Sequence, residues 1–172
     1  MSVPRIPTVT TVEPDVEEIL GKTLTRNEKP LNIFLTLAHH PWLLRRVNEL
    51  GGLFLRHGEL PVRAREIVIL RVASLCGSEY EALQHTRIAG GIGMSEADIE
   101  NALAGVTVSF AESESVLLSA AEELLATESL SDHMWTAITS LYDDRSALEF
   151  VFLVGYYRMI AGFLNSVGVQ LD

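Results

Sequence analysis

Leu60-Pro61-Val62-Arg63-Ala64-Arg65-Glu66-Ile67-Val68-Ile69-Leu70-Arg71-Val72-Ala73-Ser74-Leu75 is the stretch on which the fold turns. Its proline suits the first turn of a helix, where a missing N–H is no loss. Ile67, Val68, Leu70, Val72, Ala73 and Leu75 are apolar almost all round the helical period, so this helix belongs at the centre of a domain. Gly77-Ser78 interrupts it. Ser78 followed by Glu81 has the pattern of a capping box and starts a new helix through Ala89, which Gly90, Gly91 and Gly93 close.

Working outward, residues 1–12 read as an extended arm and Glu13 to Leu24 as a small helix with Pro14 in its first turn. Asn27 to Pro30 breaks the chain. Helices follow over Leu31 to Ala38 and from Pro41 through Leu55, the latter ended by Gly58. Beyond the centre, Ser95 with Asp98 starts a short helix to Leu103, Ser113 a longer one through Leu125, and Ser131 one ending near Tyr142. Asp143-Asp144 precedes a long apolar helix from Ser146 to Asn165, stopped before Gly168. No alternating strand pattern competes, so the expected fold class is all-α, a single domain over residues 1–172.

In that long helix, Glu149 and Arg158 leave an apolar run shorter than the ~20 residues a membrane span needs. A buried or subunit-contacting helix is expected, and Gly155 and Gly162, on one side, allow close helix approach. A faint similarity links Leu60 to Gly93 with Leu141 to Gly168, which would make two related helical halves.

The 172 residues suffice for one domain with a real core. With 48% hydrophobic and 21% charged residues, much apolar surface must be hidden inside or between subunits, so a homo-oligomer is expected. The formal charge of −10 opposes binding to nucleic acid or an anionic membrane, since both need a basic footprint. Residues 1–12 have no charged start followed by an apolar run, so neither a signal nor a transit peptide is expected. With a single cysteine, which agrees with a reducing compartment, the expected location is the cytoplasm.

The chemistry gathers around the central break. Glu81 and His85 are four apart on one helix face. Glu66 joins them only if the second helix folds back on the first. With Tyr80 they make a set of two carboxylates, a phenol and an imidazole, able to move protons on a small carbon acid. Ordinary readings stand beside this. Glu81 fits the third position of a capping box, Glu66 a salt bridge to Arg63 or Arg65, and Tyr80 an amphipathic core position. Ser78 and Cys76 are candidates for touching substrate, although a lone cysteine is usually a small buried apolar residue. His39-His40 lacks companions at ligand spacing, His57 and His133 are isolated, and no loop cradles phosphate, so neither metal nor cofactor is called for. Trp42 and Trp135 read as core or interface residues.

Leu60-Pro61, Arg65-Glu66, Ile69-Leu70-Arg71-Val72-Ala73, Tyr80-Glu81, His85 and Gly93-Met94-Ser95 together resemble the carboxymuconolactone decarboxylase family, which includes AhpD-like alkylhydroperoxidases. Asn32-Ile33-Phe34, Leu37-Ala38-His39-His40-Pro41, Gly155-Tyr156-Tyr157 and Leu164-Asn165 resemble its longer branch. The resemblance implies an AhpD-like helical bundle assembled as trimers or hexamers, with dimers an alternative, and sites near subunit contacts. In the peroxidase branch a glutamate, two cysteines, a tyrosine and a histidine form a relay and redox centre. Here Glu66, Tyr80 and His85 match, while the cysteine positions hold Ser78 and Glu81. Dithiol chemistry is therefore not expected. The expected function is that of a decarboxylase-like lyase on a small carboxylated lactone or related carbon acid, with His85, Glu66, Glu81 and Tyr80 as catalytic set. The alternatives are a thiol peroxidase using Cys76 with an external thiol, and a non-catalytic helical oligomer.

Overall fold

The apolar stretch lies where its sequence demands: Ile67, Val68, Ile69, Leu70 and Val72 are completely buried. The computed structural model describes residues 3–172. In chain order it has α1 (Pro14–Leu20), β1 (Thr25–Arg26), β2 (Lys29–Pro30), α2 (Asn32–Leu37), α3 (Pro41–His57), α4 (Val62–Leu75), α5 (Glu79–Gly91), α6 (Glu96–Ala104), α7 (Glu112–Thr127), α8 (Asp132–Thr139) and α9 (Asp144–Val167). Helix α4 packs against α5, α6, α7 and α9, which is why it needs an apolar circumference. The main core gathers Leu44, Phe54, Val68, Leu117, Phe150 and Leu153. A smaller one joins Ile67 and Leu70 to Met94, Ile99 and Leu118.

Four helix starts, those of α5, α6, α8 and α9, are set by side chains that the sequence offers as caps. Ser78 Oγ accepts from the Glu81 N–H at 3.5 Å, Ser95 Oγ from Asp98 at 3.1 Å and Asp143 Oδ1 from Ser146 at 2.9 Å. Several expected helix boundaries move, most by two or three residues. The first helix ends at Leu20 rather than Leu24 because residues 25–30 fold as an antiparallel hairpin. Asn27 and Glu28, at φ 49° and 64°, make its turn, a left-handed geometry that periodicity does not reveal. Helix α7 starts at Glu112 rather than Ser113, with the Glu114 carboxylate returning to the Ala111 N–H at 3.2 Å.

Helix α9 has 24 residues and by length and composition is long and apolar enough to cross a membrane, longer than the interrupted run in the sequence implied. In this fold 56% of its most apolar window is buried. Glu149 accepts from the backbone N–H groups of Glu59 and Leu60 at 2.5 and 3.3 Å, so its charge serves the turn into α4. Leu148, Phe152 and Met159 remain exposed on α9. The faint internal similarity does not extend to architecture, since residues 60–93 form a helix pair and residues 144–167 one straight-through helix. Trp42, 69% exposed, lies outside the core with Arg45 over its ring, and Trp135 is also exposed.

Candidate active site

Whether Glu66 can meet His85 depends on the reversal between α4 and α5. Cys76 caps α4, and Gly77 at φ 60° takes the left-handed position that a side chain disfavours. The Gly77 N–H donates to Ser74 O at 3.1 Å and the Ser78 N–H to Ala73 O at 2.9 Å, the paired bonds of a Schellman motif. This turn lays α5 back along α4. Glu66 Oε2 and His85 Nδ1 are then 2.7 Å apart.

The other Glu66 oxygen accepts from Arg65 Nε and Nη2 at 3.0 and 2.8 Å, while Arg65 Nη1 donates to Phe54 O at 3.1 Å. Glu66 has no exposed surface, and Arg65 and His85 are buried too. Burial would raise the Glu66 pKa, but His85 and then Arg65 outweigh it and hold the carboxyl below its ordinary value. Glu66 is therefore an anion, and His85 Nδ1 is the donor to it. That orientation leaves Nε2, which makes no hydrogen bond among the described residues, as the exchangeable nitrogen. The Tyr157 ring meets the imidazole edge-on at 4.9 Å and helps fix its plane.

A cavity of about 330 Å³ opens beside this relay. Its apolar walls include Leu31, Phe34, Val47, Ile88, Tyr156 and Ile160, and it is also lined by Tyr80, Glu81, His85, Gln84 and three arginines, Arg26, Arg56 and Arg87. Glu81 is buried, and neither of its oxygens makes a hydrogen bond among the described residues. Burial pushes its carboxyl up to about 8, against a smaller opposing pull from the Ser78 hydroxyl. An unpaired buried carboxyl avoids its desolvation cost by staying protonated. Only the serine half of the capping box forms, so the Glu81 side chain is free for the cavity.

The structure thus brings Glu66, Tyr80, Glu81 and His85 together, with Glu66 one layer behind the cavity wall. Tyr80 is differently engaged. Its hydroxyl donates to Asp172 Oδ2 at 2.5 Å and accepts from the Ile33 N–H at 3.3 Å, and burial followed by the Asp172 bond raises its pKa. Ser78 and Cys76 do not line the cavity. Ser78 is buried as the α5 cap, and the Cys76 thiol is pushed up by burial and by Glu81, against a pull from Arg158. Gln84 in the lining, with Asp172 and Asn32 behind it, completes the hydrogen-bond network at Tyr80 and lies outside the set expected from sequence. Gln84 lies one helical turn past Tyr80, and Asn32 stands in the Asn32-Ile33-Phe34 stretch that carries the family resemblance. His39 and His40 serve local structure, bonding Pro7 O and the Leu43 N–H.

Residues 41–123 match the sequence model of the Carboxymuconolactone decarboxylase family. That segment belongs to the carboxymuconolactone decarboxylase family. It spans α3 to α7 and carries Arg65, Glu66, Tyr80, Glu81 and His85. Curated proteins give no match to the chain. Among solved structures, an uncharacterized peroxidase-related protein from Silicibacter sp. TM1040 aligns with TM-score 0.88 and 13% identity over 100% of this chain and 95% of that one. An AhpD-core, peroxidase-related protein from Ralstonia eutropha JMP134 has TM-score 0.86 and 16% identity over 100% and 94%. The debrominase Bmp8, in complex with 2,3,4-tribromopyrrole, has TM-score 0.84 and 15% identity over 100% and 93%. The AhpD-like fold therefore extends over the whole chain, beyond the family segment.

Proposed function

We propose that this cavity performs proton-transfer chemistry at carbon, as a decarboxylase-like lyase acting on a small, largely apolar carbon acid. The observation that carries the reading is a neutral, unpaired Glu81 carboxyl sharing an apolar cavity with His85. With a pKa of about 8, Glu81 keeps its proton near neutrality, where a general acid is most effective. In the step proposed, the bond to the substrate's carboxylate carbon breaks and carbon dioxide leaves. The electron pair is held as an enolate or dienolate, and Glu81 gives its proton to carbon. His85 Nε2 then takes a proton from water and passes it to the Glu81 carboxylate, leaving hydroxide to solvent, while Glu66 and Arg65 hold the imidazole in place. Three arginines at the cavity, in a chain of charge −10, favour an anionic substrate. The debrominase relative holds a small flat ring, a shape that a cavity of about 330 Å³ with aromatic and aliphatic walls accommodates here.

The thiol-peroxidase alternative requires a thiolate, and a Cys76 whose thiol is pushed up and lies off the cavity lining weighs against it. The same reading has copies of the chain assembling, and the exposed Leu148, Phe152 and Met159 of α9 support this. The test is carbon dioxide release from a panel of small lactone and aromatic carboxylic acids. Turnover by wild type that is lost in Glu81→Gln and His85→Ala, with the fold retained, is expected. Peroxide consumption abolished by Cys76→Ser, with no acid in the panel turned over, would instead establish the thiol reading.

A further inference from the structure

One carboxylate from a distant part of the chain, itself behind the cavity lining, ties two of the lining segments together. Asp172 Oδ2 accepts from Tyr80 Oη at 2.5 Å and from Gln84 Nε2 at 2.7 Å, both on α5. Its other oxygen, Oδ1, accepts from the Asn32 N–H at 2.7 Å, between the lining residues Leu31 and Ile33. Arg26 of the hairpin donates to the Asp172 backbone oxygen, and Asn32 Nδ2 donates to Gln170 O and Leu171 O at 3.1 and 3.3 Å. The wall held this way is slight. Strands β1 and β2 have two residues each, and a two-stranded hairpin is at best marginally stable by itself. Yet Leu24, Thr25 and Arg26 line the cavity, as do Leu31, Ile33, Tyr80 and Gln84.

We propose that Asp172 is a displaceable clamp: it holds the wall formed by residues 24–34 against α5, and a ligand bearing its own carboxylate opens the cavity by taking over the Tyr80, Gln84 and Asn32 donors. The three donors converge on a carboxylate and are already arranged to receive one, so an incoming carboxylate finds a pre-formed cradle. The exchange conserves hydrogen bonds. What changes is whether the occupant is tethered to residues 168–172, and hence whether the hairpin wall is pulled in.

The proposal concerns access and stands whatever reaction the cavity performs, so its test uses no turnover. Amide hydrogen exchange of residues 24–34 is compared in wild type, Asp172→Ala and Asp172→Asn, with benzoate as the probe carboxylate. Exchange in residues 24–34 is expected to rise about tenfold in Asp172→Ala, the scale of one lost hydrogen bond to a charged group, while α4 keeps wild-type protection. Benzoate is expected to raise exchange of residues 24–34 in wild type toward the Asp172→Ala level, and to leave Asp172→Ala, which has no clamp to displace, unchanged. If Asp172→Ala loses α4 protection, the comparison is made with Asp172→Asn, which retains the side-chain shape. Equal exchange in wild type and variant, or wild-type exchange that benzoate leaves untouched, overturns the proposal.

Discussion

Replacing Glu81 with glutamine should change how stability depends on pH more than it changes stability itself. In the folded protein the Glu81 carboxyl titrates at about 8 against an ordinary value of 4.5. Its folded pKa is raised, so the stability tied to its proton is fully present below 4.5 and is lost as the pH rises to about 8. Each unit is worth about 1.4 kcal/mol. Between pH 5 and pH 8 wild type should therefore lose about 2–4 kcal/mol relative to Glu81→Gln, whose amide does not titrate. In urea denaturation, with a slope of about 2 kcal/mol per molar, that is a divergence of about 1–2 M between the two midpoints. The comparison isolates Glu81, because every other titrating group is common to both proteins. Parallel pH profiles for wild type and Glu81→Gln would refute the reasoning, since they would mean that the buried carboxyl ionises without penalty.

Arg65→Met should destabilise the fold by about 3–5 kcal/mol in urea denaturation, because it strips the cation from a Glu66 with no exposed surface. Since the Glu66 pKa is lowered, the stability it lends wild type is present above its ordinary value and lost as the pH falls through the folded value; the Arg65→Met deficit should therefore shrink in acid. Glu149→Ala removes the acceptor for the Glu59 and Leu60 N–H groups and should lower the thermal midpoint, at a cost of about 1–3 kcal/mol. Iodoacetamide should alkylate Cys76 slowly at pH 8.5. Glu81→Gln should speed that reaction, since the Glu81 charge is one of the causes raising the thiol pKa.

The α-helical frame was legible because its signals are local. An apolar circumference around Ile67 to Val72 fixed the central helix, and Ser78, Ser95, Ser131 and Asp143 announced starts that their side chains then cap. Glu81 and His85 could be paired from helical spacing alone. Glu66 could not, since its meeting with His85 depends on the Gly77 turn swinging α5 back. The hairpin was invisible to periodicity because its strands are two residues long. Asp172 was invisible for a different reason: its partners Tyr80, Gln84 and Asn32 lie far off in sequence, and no local pattern encodes a contact of that range. The sequence does not separate a capping Glu81 from an acidic one, because both roles use the same residue at the same offset. Only the missing return bond to the Ser78 backbone separates them.

The central claim is that Glu81 is a neutral acid in the cavity at physiological pH. Its most direct test is the side-chain carboxyl signal of 13C-labelled glutamate, followed by NMR from pH 4 to pH 10 and assigned to Glu81 by its disappearance in Glu81→Gln. The account predicts a titration midpoint near 8. A midpoint near the ordinary 4.5 would contradict it, because an ionised Glu81 would have no proton to give.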